Sequence, residues 1–138
     1  MAFNKFRNFP LYAKGIIFIY TLGFLTMMIY HIGTVIQYGF FARDISMPVN
    51  IWYDALGFLI VPATIILLYA RPTTGINTAM VVMLITFTID ALVRFIIQDD
   101  SYANWFYYFE IVFAIVVLAT YPFMRYMIKS KKSGKQYA

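Results

Sequence analysis

The chain has 138 residues, 62% of them hydrophobic, 12% charged and 20% aromatic, with a formal net charge of +5. Soluble domains run nearer half apolar and about a quarter charged, and a soluble fold of this size cannot hide so much apolar side chain. With no cysteine and one histidine, the chain by itself supplies no disulfide, thiolate zinc site, cysteine-ligated iron–sulfur cluster or bis-histidine haem.

Four apolar runs are long enough to cross a hydrocarbon core, which takes about 20 residues of helix. They predict helices at about 11–41, 51–71, 77–98 and 103–129, followed by a basic tail over 129–138. In lipid the backbone must satisfy its own hydrogen bonds, and none of the runs shows the alternation of a β-barrel strand, so the spans are helices. The first run holds no charged residue. The second is interrupted by Asp54, the third carries Asp90 and Arg94, and the fourth carries Glu110 and Arg125. Short connections make sequential helices antiparallel neighbours. The expected fold is therefore an all-α integral membrane protein, a single domain over 1–138 built as an antiparallel four-helix bundle. Pro72 is expected to stop the second helix, Asn77 to cap the third, and Pro62 to kink the second helix near Phe58.

Lys and Arg set the expected orientation. Lys5, Arg7, Lys14, Arg71, Arg125, Lys129, Lys131, Lys132 and Lys135 fall on one side of a four-span chain. Arg43 falls on the other, with Asp44, Asp99 and Asp100. The positive-inside rule then predicts both termini in the cytoplasm, in a membrane of the bacterial inner type. The basic start ahead of an apolar run is read as a retained first helix, because the run is too long for a signal peptide and no small-residue cleavage site follows it. Phe3, Phe6 and Phe9, with Lys5 and Arg7, are expected either along the inner headgroups or in a frayed terminus. The lysine-rich tail suits anionic lipid and not nucleic acid.

The ionisable residues of the spans fall at one depth. Counting ~1.5 Å per helical residue places His31, Asp54, Asp90 and Glu110 in the half of the bilayer away from the termini, with Arg94 one turn beyond Asp90. Each lies on a stripe with helical period: Tyr20, Gly23, Met27, His31, Thr34 and Tyr38 on the first helix, and Asp54, Gly57 and Val61 on the second. On the third the stripe is Thr86, Asp90, Arg94 and Gln98, and on the fourth Tyr107, Glu110, Ala114, Val117 and Tyr121. One charged residue near a helix centre costs ~2.5–3.5 kcal/mol on insertion scales, so such groups face the bundle interior. Asp90 and Arg94 are spaced to pair at i, i+4.

These residues predict an outward-facing polar pocket lined by His31, Thr34, Asp54, Asp90, Arg94, Tyr107 and Glu110, which binds or transports a small cationic or amphipathic ligand. A transporting version calls for a homodimer, since four helices make little moving interface. Two other readings stand beside it. In one, the chain is a non-catalytic subunit, or an anchoring or inhibitory protein, of a larger membrane complex. In the other, the buried acids and histidine do acid–base chemistry on a lipid-like substrate. No cofactor or metal is expected, and no P-loop, nucleophile elbow, glycine-rich nucleotide turn or zinc signature is present.

Overall fold

The computed structural model describes residues 4–42, 46–96 and 105–132, with side chains over 6–42, 46–93 and 105–130. The described chain is all helical. A short α1 (Asn4–Arg7) leads into α2 (Leu11–Tyr38), then α3 (Met47–Ala55), a π-helical segment (Leu56–Ile60), α4 (Val61–Ala70), α5 (Pro72–Ile96) and α6 (Trp105–Lys132). The α3, π and α4 segments run on as one span. Among the described residues four helices, Leu11–Tyr38, Met47–Ala70, Pro72–Val93 and Trp105–Ser130, are long and apolar enough to cross a membrane.

Cross-helix contacts give the arrangement. Tyr12 meets Met127, Tyr20 meets Val117 and Thr120, and His31 meets Glu110, so α2 and α6 run in opposite senses. Thr21 bonds Tyr69 near one end, while Gly57 packs on His31 and Ile32 towards the other, which sets the second span against α2 in the same way. Tyr53 meets Asp90 and Gly75 meets Leu68, so α5 opposes the second span. Only 28% to 39% of each spanning window is buried within the bundle. The remaining surface is Leu11, Phe18, Ile29, Ile36, Leu59, Ile66, Val112, Ile115 and their like, a face that water would not tolerate and lipid does.

Three helix boundaries differ from the sequence reading, each for a physical reason. The first helix ends at Tyr38, because Gly39 takes φ 90° and Phe41 takes φ 54°, turning the chain out of the helix. The second starts at Met47, with Pro48 in its first turn, where a missing N–H is no loss. The third begins at Pro72 and not at Asn77. Proline both ends α4 and opens α5, leaving Arg71 as the whole connection. Asn77 is thus inside α5, where its Oδ1 accepts the Tyr121 hydroxyl at 3.1 Å. Gly75 makes so tight a turn possible: a Cβ there would sit 2.4 Å from the Leu68 backbone nitrogen.

The two prolines inside spans are accommodated differently. Upstream of Pro62 the helix widens into the π turn, with the Val61 N–H reaching Leu56 O. The π turn includes Phe58, where the sequence predicts a kink. Pro122 lies inside α6, and the carbonyls of Val116 and Val117 just ahead of it accept the hydroxyls of Thr120 and Tyr20. At the chain's start, Phe6 packs on Tyr69 with ring centroids 4.9 Å apart, and Phe9 is buried, so these two rings brace the bundle. Phe3 lies outside the described residues.

Candidate functional site

Each span delivers one polar side chain to a common level. His31 lies seven residues before the end of α2, Tyr53 six after the start of α3, Asp90 six before the end of α5 and Glu110 five after the start of α6. At ~1.5 Å per residue that is a layer ~8–11 Å below the end of the bundle away from the termini. Relative exposures of 2% for His31 and Tyr53, 4% for Asp90 and 5% for Glu110 place all four inside the bundle.

The four form a connected set. His31 Nε2 lies 3.3 Å from Glu110 Oε1, joining α2 to α6. The Tyr53 hydroxyl donates to Asp90 Oδ1 at 2.5 Å, joining α3 to α5. The two pairs meet face to face, since the His31 ring stacks on the Tyr53 ring at 5.4 Å with 16° between planes. Asp90 lies within electrostatic reach of both Glu110 and His31. Its second oxygen, Oδ2, is buried without a hydrogen-bond partner among the described residues. Phe106 and Tyr30 stand edge-on to the imidazole at 5.6 Å and stack on each other at 3.6 Å, so aromatic rings close the cluster on the α6 side.

Local backbone features aim these groups. Gly57 brings the second span against α2: a Cβ there would lie 3.0 Å from His31 Cβ and 3.2 Å from the Ile32 backbone nitrogen. The π turn that begins at Leu56 sits directly after α3 and rotates Tyr53 relative to α4 below it. Beneath the cluster, the buried Thr86 accepts the Trp52 indole N–H at 3.3 Å, one turn before Asp90 on α5.

Asp54 is buried, but its Oδ2 accepts the Phe41 N–H at 2.9 Å and so holds the left-handed turn after α2. The Thr34 hydroxyl bonds back to Tyr30 O in its own helix. Tyr107 is buried beside Tyr108, its ring 5.8 Å away. The backbone of Arg94 belongs to α5, while its side chain lies outside the described residues, as does the expected pairing with Asp90.

Sequence reasoning missed Tyr53 and the rings around His31. One signal was available: Asn50, Tyr53, Asp54 and Gly57 make one helical stripe once the helix is started at Met47, and all four are buried. Among the described residues no group of three His, Cys, Asp or Glu is placed to hold a metal ion. The open groove of about 230 Å³ lined by Leu84, Ile85, Thr88 and Ile89 lies on the outer face of α5 and includes none of the four residues. No protein-family model matches this chain, and neither does any curated protein or solved structure.

Proposed function

We propose that this chain is a four-span protein of a bacterial-type inner membrane, with both termini cytoplasmic, that binds or moves a small cation at the buried His31–Tyr53–Asp90–Glu110 cluster. The orientation rests on the basic residues: Lys14, Arg71, Arg125 and Lys129 all stand at the helix ends nearest the termini. The function rests on Asp90. His31 with Glu110 is complete as a structural ion pair, and a tyrosine hydroxyl satisfies one oxygen of Asp90. The second carboxyl is surplus to that scaffold, and its Oδ2 is buried with no hydrogen bond among the described residues.

Two carboxyls against one imidazole make the cluster acidic when all three are ionised, and a net charge in hydrocarbon is costly. A bound cation removes that cost, and the aromatic rings around it offer their negative faces. The arrangement is therefore selective for positive charge and closed to anions.

The test is thermal unfolding of the purified protein in mild detergent with sodium, lithium, tetramethylammonium, a lipophilic amine and a range of pH. A cation present at a hundredfold its Kd stabilises by ~2.7 kcal/mol, a shift of several degrees for a chain of this size. The expected result is a shift with at least one of these cations that disappears in Asp90→Asn and Glu110→Gln. Flat responses from the folded parent protein to every cation and to pH would remove the reading.

A further inference from the structure

We infer that the cation taken up at this cluster is the proton, carried on Asp90 Oδ2 beside an ionised His31–Glu110 pair. This inference rests on the cation-binding reading above and names its ligand.

Space decides first. The buried imidazole of His31 is packed by the Tyr53 ring stacked on its face and by Tyr30 and Phe106 edge-on to it. An ammonium carrying carbon substituents enters only if these stacked rings part. A divalent metal lacks a ligand set among the described residues. A proton needs no room. It needs a buried oxygen lone pair, and Asp90 Oδ2 is buried with no hydrogen-bond partner among the described residues.

The titratable and charged groups facing this oxygen come from the other three spans. Among the described side chains they are His31 on α2, Tyr53 on α3 and Glu110 on α6. Asp54 on α3 is turned to the Phe41 N–H, and Tyr107 on α6 packs beside Tyr108. With Glu110 ionised and His31 protonated, these two cancel. The remaining charge in the four-residue cluster is that of Asp90. Uptake forms one O–H bond at Asp90 Oδ2, the proton coming from water at the loop end of the bundle, and breaks no bond within the protein. The new O–H gives Asp90 a donor where its carboxylate had only acceptors, with Glu110 within electrostatic reach across the α5–α6 contact. Proton binding is thereby tied to how α5 sits against α6.

The experiment is infrared difference spectroscopy of the full chain in liposomes, stepped in pH, following the C=O stretch of a protonated carboxyl. The parent should show a carboxyl band that grows as pH falls and is absent in Asp90→Asn. Tyr53→Phe keeps both carboxyls and removes the donor to Oδ1. It should move the midpoint upward by about one pH unit, a tenfold change in proton affinity. The Tyr53→Phe shift also decides the matter where Asp90→Asn does not fold. A band that persists in Asp90→Asn, or an unmoved midpoint in Tyr53→Phe, overturns the assignment. Stabilisation by sodium or tetramethylammonium with no titrating carboxyl band overturns the proton while leaving the cation site standing. No response to any cation or to pH in either measurement overturns both.

Discussion

At the end of the bundle that carries the termini, the spans are joined by neutral hydroxyls. Tyr20 reaches Thr120 at 2.6 Å and Val117 O at 3.1 Å, Thr21 meets Tyr69 at 2.8 Å, and Tyr121 donates to Asn77 at 3.1 Å. At the opposite end the joints are His31 to Glu110 and Tyr53 to Asp90. Both sets join α2 to α6, so adhesion alone does not explain the difference. Interhelical hydrogen bonds between polar side chains in lipid average ~0.6 kcal/mol, enough to fix neighbours without placing charge in hydrocarbon. A charged residue there costs ~2.5–3.5 kcal/mol. One half thus shows what holding the bundle together requires, and the excess in the other half measures what has been added to it.

The comparison breaks most readily at the ion pair. His31→Leu or Glu110→Leu alone leaves its buried partner uncompensated and should cost about 3–5 kcal/mol, whereas the double replacement should recover most of that loss. Equilibrium unfolding of the three variants in mild detergent gives the coupling energy directly. Additive losses would mean that the two side chains merely fill space, and the halves would then differ in residue type and not in kind.

The next effect tests whether the terminus half is held by shape. Gly75→Ala puts a methyl group 2.4 Å from the Leu68 backbone nitrogen, where neither partner is a side chain that can swing away. The cost should approach ~3 kcal/mol, the upper end of ordinary overpacking. Gly23→Ala also meets a close neighbour, the Phe113 ring at 2.2 Å, but that ring can rotate. Its cost should be the smaller of the two in the same unfolding assay. The reverse order would place the rigid contact in the middle of the bundle and not at the Arg71 turn.

Sequence periodicity and depth counting go a long way here, for a physical reason. Spans must be apolar and of a length fixed by the bilayer, so their number is written in composition, and a rise of 1.5 Å per residue puts His31, Asp90 and Glu110 on one level. Azimuth is harder. Tyr53 and Asp54 are adjacent and both buried, yet one meets Asp90 while the other turns to the Phe41 N–H. Which does which depends on a helix start at Met47 and a π turn at Leu56, features that hydropathy does not encode. The Arg71 turn was hidden for a related reason. Pro72 reads equally as a helix stop and a helix start, and only the close approach of Gly75 to Leu68 shows that it is both.

The smallest effect sharpens the comparison most, because it asks whether the neutral joints are truly neutral. Tyr20→Phe removes the hydroxyl that bonds Thr120 and Val117 O but keeps the ring in its fully buried place. Thr120 retains a bond of its own to Val116 O at 2.6 Å, so little is left unsatisfied. The loss should fall near 1 kcal/mol, within the ~0.6–1.7 kcal/mol range of membrane hydrogen bonds. Neither partner changes charge at moderate pH, so the loss should be the same across the pH steps at which the His31–Glu110 half responds. Unfolding of Tyr20→Phe against the parent at each step measures it. A Tyr20 contribution that varied with pH in parallel with the carboxyl band would mean that protonation in one half is felt in the packing of the other. The bundle would then act as one coupled unit along its length, not as an inert anchor beneath a local site.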